Sequence, residues 1–523
     1  MNVRKLAVFT ASLLLCSLFP AALERAAARC VIARPTIGGA RAAIRPPCRP
    51  GRRPPAASVP APAIEGPVTG GSGSPTIQAT SFDLADVGYY GEEYFLSGTA
   101  DAYVDVRPLT SDGRWSVTPG ESADYKTRIV VYRPIDPRAF NGTVVVEWLN
   151  VSAGLDAAPD WTMLHTLLTR EGYAYVAVSA QRVGIEGAPG GGPLPGLDLA
   201  LKRADPERYG SLAHPGDAFS YDMFSQAGQA IRRPGAVDPL QGLRPARVIA
   251  VGESQSAFRL MTYVNALAPR HRVYDAYLIH SRGGGGAGLS QEPEPDIPAP
   301  RLLRVRDDLD VPVLMLQTET DLFTLGSLPD NQPDSRRFRL WEVAGTAHAD
   351  TYTLLVGFAD KGDDPSVADV VVTAAPIPGV IECESPINSG PQHFVLKAAL
   401  AGLDRWVRTG VAPRRAPRLE VAGDPPAFVL DENGNVKGGI RTSWVDAPVA
   451  VLSGLGQSGG SFCGIFGTTV PFDQAKLAEL YPDHDTYVRR VRGVNMRAVL
   501  QGFLLRADAA LIETAAEMSD IGR

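Results

Sequence analysis

The stretch Val248-Ile249-Ala250-Val251-Gly252-Glu253-Ser254-Gln255-Ser256-Ala257 runs from an apolar strand through a serine turn into a helix. Four apolar residues in a row read as a strand buried on both faces. A small-residue turn with serine at its apex, leading straight into a helix, has the layout of a nucleophile elbow. Such a turn is strained and its flanking backbones crowd together, so the positions two before and two after the serine must be small. Gly252 supplies the first. Ser256 stands where glycine is usual; it is small enough to fit and leaves the elbow slightly more open. The turn aims the Gln255 N–H and the helix N-terminus at a developing oxyanion. Glycine and serine are common in turns, so the motif gains its weight from the strand before it and the helix after it.

Upstream and downstream the same alternation recurs. Thr143 to Trp148 (TVVVEW), Ala174 to Ser179, Tyr274 to His280, Val311 to Gln317 and Arg339 to Val343 read as strands. Pro159 to Glu171, Tyr221 to Arg232, Phe258 to Ala268 and His393 to Arg408 have helical spacing. Strands alternating with helices imply an α/β fold with a mostly parallel sheet covered on both faces. Ala100 to Arg107 and Lys126 to Arg133 add two Val/Tyr-rich strands before this core. Val183 to Gly216 and Gly283 to Arg304 are long, Gly/Pro-rich insertions, the kind that form walls or lids of a site. A C-terminal extension follows from about residue 411, with a hairpin expected around Asp431 to Asn435 and a last helix near Val494 to Met518.

A serine hydroxyl is a weak nucleophile without a base, and the base needs an orienting acid. In folds built around such an elbow the chain order is nucleophile, acid, base. Val311 to Gln317 ends in Thr318-Glu319-Thr320-Asp321, and Arg339 to Val343 ends in Ala344-Gly345-Thr346-Ala347-His348. His348, one of seven histidines, falls where the base is required. Asp321 is preferred as the acid because it lies farther past its strand end, with Glu319 the alternative. A second oxyanion donor is expected from the backbone N–H of Asn150 or Val151, after the strand Thr143 to Trp148. His280 reads as a structural histidine at the site edge and His165 as a helix residue. No histidine or cysteine pair has metal-ligand spacing, and the Gly283 to Gly286 cluster lacks the Lys-Ser/Thr of a phosphate loop, so no cofactor or metal is expected.

The 523 residues suffice for one large domain with appendages, and 45% apolar with 21% charged is ordinary for a globular chain. Net charge is −6, unevenly placed: residues 1–55 hold ten Lys or Arg against Glu24, leaving an acidic remainder. An acidic body argues against nucleic acid as a partner. Arg4 and Lys5, the apolar run Leu6 to Leu23 broken by Pro20, and Ala26 to Ala28 read as a cleavable export signal over residues 1–28, hence a periplasmic or secreted protein without a stable membrane anchor. Residues 29–75 are rich in Ala, Arg, Pro and Gly and are expected to be a disordered linker, with the folded domain from 76 to 523. Cys383 and Cys463 lie in two loops of that body. In an oxidising compartment they are candidates to pair, the alternative being two separate buried thiols.

Taken together, several motifs resemble a group of bacterial α/β-hydrolase-domain proteins. They are Gly70-Gly71, Gly88-Tyr89-Tyr90, Glu92-Glu93-Tyr94-Phe95, Glu147-Trp148-Leu149-Asn150-Val151, Gly252-Glu253-Ser254-Gln255-Ser256, Thr318 to Asp321, Val343 to Asp350 and Phe462-Cys463-Gly464. The resemblance runs from about residue 62 onward, includes the C-terminal extension, and makes Ser256 part of the group's look. It implies the α/β-hydrolase fold and a serine esterase acting on a small or oligomeric ester through an acyl-enzyme. It names no substrate. Lactone or polyester-oligomer hydrolysis, amide cleavage and acyl transfer would use the same residues, and a non-catalytic binding protein on the same shell is the reading from another class.

Overall fold

Along the strand Thr143–Trp148 every side chain is buried, and successive residues feed two different cores. Val144 and Val146 point to one face and Val145 to the other; in Arg247–Glu253, Val248 and Ala250 oppose Ile249 and Val251 in the same way. A period of two with both faces covered explains why these strands read as unbroken apolar runs. The computed structural model describes residues 56–188, 199–460 and 462–523. The export signal over 1–28, most of the 29–75 segment, and Cys16, Cys30 and Cys48 lie outside those residues.

Nine strands form one sheet: β1 Ala63–Glu65, β2 Tyr89–Asp105, β3 Val117–Pro134, β4 Thr143–Trp148, β5 Ala174–Val178, β6 Arg247–Glu253, β7 Ala276–His280, β8 Val313–Gln317 and β9 Phe338–Glu342. Their order is β1-β2-β3-β5-β4-β6-β7-β8-β9. The β1, β2, β3 and β5 pairings are antiparallel, and all pairings from β5 through β9 are parallel. This is the mostly parallel α/β sheet that the alternation implies. The helices Ser220–Arg232 and Gln255–Ala266 cover one face, while Pro159–Arg170 and Gln392–Thr409 cover the other. Trp161, Leu164, Leu167 and Leu168 of Pro159–Arg170 recur at helical spacing and are all buried. Each such side chain contributes about 1.5–3 kcal/mol of burial free energy.

Three expectations change. Order begins before Ile77: β1 pairs with β2, Val59 is buried, and Ala57 N–H donates to the Arg270 carbonyl. Backbone pairing and the apolar side chains of Val59, Ile64 and Val68 hold a segment whose composition alone reads as linker. The strands at 100–107 and 126–133 belong to one long antiparallel ribbon, β2 with β3, running well beyond the Val/Tyr-rich patches. The final helix is two helices, His484–Gln501 and Arg506–Met518, because Gly502 adopts φ +80° and caps the first. Val491, Ala498, Ile512 and Ala516 of this pair pack with Trp444 and Leu452 onto Phe394 of Gln392–Thr409, so the extension shares a core with the sheet's covering helix. Among the described residues no helix is long and apolar enough to cross a membrane.

Candidate active site

At the C-terminal end of β6 the chain turns so sharply that Ser254 takes φ 56°, ψ −120°, a conformation L-residues rarely hold. Parallel pairing with β7 holds it there, since Ser254 N–H donates to the His280 carbonyl at 3.0 Å. A Cβ on Gly252 would stand 3.1 Å from the Ser256 carbonyl oxygen and 3.3 Å from its Cβ. Glycine at 252 therefore makes the room that lets serine, buried, occupy 256. Gln255 opens the helix Gln255–Ala266, so its N–H belongs to the turn that lacks intrahelical acceptors. The Gln255 side chain is held by the Gln181 amide, which also donates to the Leu149 carbonyl at 3.2 Å.

His348 Nε2 lies 2.7 Å from Ser254 Oγ, and its Nδ1 lies 2.6 Å from Asp321 Oδ1. With Asp321 accepting from Nδ1–H, Nε2 is left to accept the serine proton. Burial pulls the His348 pKa down, but the charge and hydrogen bond of Asp321, with the Glu253 charge, outweigh it and set the value above that of a free imidazole. Asp321 Oδ2 accepts from Thr318 N–H at 2.7 Å, fixing the carboxylate. The other expected candidate acid, Glu319, faces elsewhere. Its oxygens accept from Gly345 N–H at 2.6 Å and Gly454 N–H at 2.8 Å, tying the histidine loop to the C-terminal extension. Burial pushes its pKa up to about 7 against those two bonds.

The two expected oxyanion donors also separate. Asn150 N–H already donates to the Ala157 carbonyl at 2.9 Å, and Ala157 N–H returns the bond. That backbone group is spent on closing the loop, which corrects the expectation for Asn150. Val151 N–H has no hydrogen-bond partner among the described residues. The Asn150 side chain instead donates to the Glu253 carbonyl at 3.3 Å and to Glu253 Oε2 at 3.2 Å.

A family model described as alpha/beta hydrolase domain matches residues 64–514. The chain belongs to that alpha/beta hydrolase family. No curated protein matches it. Similar solved structures include a proposed dienelactone hydrolase from Klebsiella pneumoniae subsp. pneumoniae, 13% identical, covering 47% of this chain and 85% of that one with a TM-score of 0.24. A glucuronoyl esterase from Solibacter usitatus is 11% identical, covering 56% of this chain and 83% of that one with a TM-score of 0.25.

In this alpha/beta hydrolase Ser254 and His348 open onto a cavity of about 520 Å³. Its lining is mostly apolar and comes from far apart in the sequence: Ile77, Leu155, Leu354, Ile381, Phe462 and Phe466 among others. Of the two insertions expected as walls, Val183 to Gly216 contributes Leu199, with 189–198 outside the described residues. Gly283 to Arg304 lines none of it. Asp330 accepts from Gly285 and Leu303 N–H and pairs with Arg282, pinning that loop as structure.

Glu253 is the residue that the reading of the motif passed over. It precedes the serine, lines the cavity, and its Oε1 lies 3.5 Å from His348 Nε2. Its position inside the elbow is the signal that points to it. Burial raises its pKa to about 7, opposed by His348 and His280. His280 itself is buried off the cavity, with Nδ1 2.8 Å from Asp160 Oδ1 and Nε2 accepting from Gln392 at 2.9 Å. His165 contacts the carbonyls of Thr162 and Asp360. Among the described residues no cluster of His, Cys, Asp or Glu is arranged to hold a metal.

Proposed function

We propose that this protein is a serine hydrolase of carboxylic esters. The observation that carries the reading is the hydrogen-bond chain Ser254–His348–Asp321, whose Ser254 and His348 line an apolar cavity. Ser254 Oγ attacks the ester carbonyl while His348 Nε2 takes its proton. The carbonyl oxygen becomes an oxyanion facing the N–H groups of Gln255 and Val151. Collapse expels the alcohol, which leaves with the proton from His348, and an acyl-serine remains. Water then attacks, His348 again serving as base, and the acid departs. Asp321, bonded to Nδ1, orients the imidazole and stabilises the imidazolium. Removing one oxyanion donor from such a site costs about 10²–10³ in kcat.

Export to an oxidising compartment belongs to the same reading, supported by the disulfide between Cys383 and Cys463. The test is labelling of the full chain with a fluorophosphonate beside Ser254→Ala, together with p-nitrophenyl ester turnover. Labelling and turnover that disappear in Ser254→Ala are expected. A wild type that neither labels nor turns over any ester overturns the reading.

A further inference from the structure

One wall of the cavity has almost no regular secondary structure of its own. Ile377, Val380 and Ile381 come from one loop, and Phe462, Ile465 and Phe466 from another. The two are joined by the Cys383–Cys463 disulfide, across a separation of 80 residues, and by the bridge Cys383 to Gly459. Neither cysteine lines the cavity; Cys463 is buried behind the wall, in one apolar cluster with Ile381, Ile387 and Phe466. Ala349 and Leu354 of the histidine loop pack on the same cluster, and Asn388 N–H donates to the Phe466 carbonyl at 2.9 Å. The cross-link therefore takes the place that a helix or strand would otherwise have in holding these side chains toward Ser254.

The wall is also uncharged. Among the described residues the lining contains no Lys or Arg; its ionisable groups are Glu253, His348 and Asp156, and Asp156 is already paired with Arg128 at 2.5 Å. A carboxylate entering this space would meet the acids Glu253 and Asp156 and no Lys or Arg, and would lose its hydration with little compensation. The volume lies within the about 300–1,000 Å³ of sites that enclose drug-sized ligands.

Building on the ester-hydrolase reading, we propose that the disulfide-joined wall is the specificity element of the site, selecting esters whose larger part is apolar and uncharged. The full oxidised chain would be compared on p-nitrophenyl acetate, p-nitrophenyl octanoate and the mono-p-nitrophenyl ester of suberic acid, which matches octanoate in length but ends in a carboxylate. The octanoate-to-acetate ratio of kcat/KM is expected to exceed about tenfold, with suberate at least about tenfold below octanoate. Dithiothreitol, which takes the disulfide to two thiols, and Cys383→Ser/Cys463→Ser should each lower the octanoate-to-acetate ratio about tenfold, mainly through KM. Phe462→Ala should do the same with the disulfide intact, which covers the case in which the cysteine variant does not fold. Binding of p-nitrophenyl octanoate to Ser254→Ala, oxidised against reduced, reads the wall without turnover. Weaker binding on reduction with no turnover in the wild type would sink the hydrolase reading and leave the wall standing. Ratios and binding that ignore both reduction and Phe462→Ala, or a wild type that accepts suberate as well as octanoate, overturn the proposal.

Discussion

Glu253 Oε1 stands 3.5 Å from His348 Nε2, on the same side of the imidazole as Ser254 Oγ. A carboxylate there favours the protonated imidazole and so works against the base, which must be neutral to accept the serine proton. Glu253 contributes to the raised His348 pKa after Asp321. Glu253→Gln removes the charge and keeps an oxygen for the Asn150 amide. The acid limb of the kcat/KM profile is expected to move to lower pH in this variant, because imidazole then loses its proton more readily. A profile that superimposes on the wild type would show that the two groups do not communicate.

Asp321 and Glu319 sit two residues apart on the short helix Glu319–Phe323, yet only Asp321 reaches His348. Asp321→Asn is expected to lower kcat by about 10⁴ by disturbing the imidazole tautomer. Glu319→Gln should act on stability instead. The folded pKa of Glu319 is about 7 against an ordinary value of 4.5, so the folded state holds the extra proton between them and stability falls as pH rises through that window. Glu253, at about 7, and Asp350, raised by burial to about 6, add slopes of the same sign. An amide offers one oxygen to two N–H donors, so Glu319→Gln should start with a lower Tm at about pH 5 but lose less of it by about pH 8. Parallel melting curves for variant and wild type would refute this account.

With Asn150 N–H bonded to Ala157, Val151 is the donor left on that loop. Replacing the Val151 amide by an ester, with the side chain kept, exchanges the N–H for an oxygen without altering the loop's sequence. A drop of about 10²–10³ in kcat with KM little changed is expected. Unchanged kcat would remove Val151 from the site.

Much of this molecule is legible locally. The run Val248 to Val251, the small residues on either side of Ser254 and the helix that follows are contiguous, and neighbouring residues alone dictate strand, turn and helix. The buried strands are legible for the same reason, since a strand covered on both faces must be apolar at every position. The placement of His348 after a later strand follows from chain order. Disorder up to residue 75 misread β1, because backbone hydrogen bonds to another strand leave no trace in side-chain composition.

What the sequence determined by itself was the α/β alternation, the elbow at Ser254 and the candidates for its partners. Which candidate meets which was decided by tertiary structure. Residues two apart on a helix point about 200° away from each other, so Asp321 and Glu319 face opposite neighbours, and only the docking of His348 and Gly454 says which is which. Likewise the Asn150 N–H is consumed by a carbonyl seven residues on, and the cavity wall is assembled by a disulfide across 80 residues. Such contacts depend on where distant segments meet in space, which no local pattern of side chains encodes.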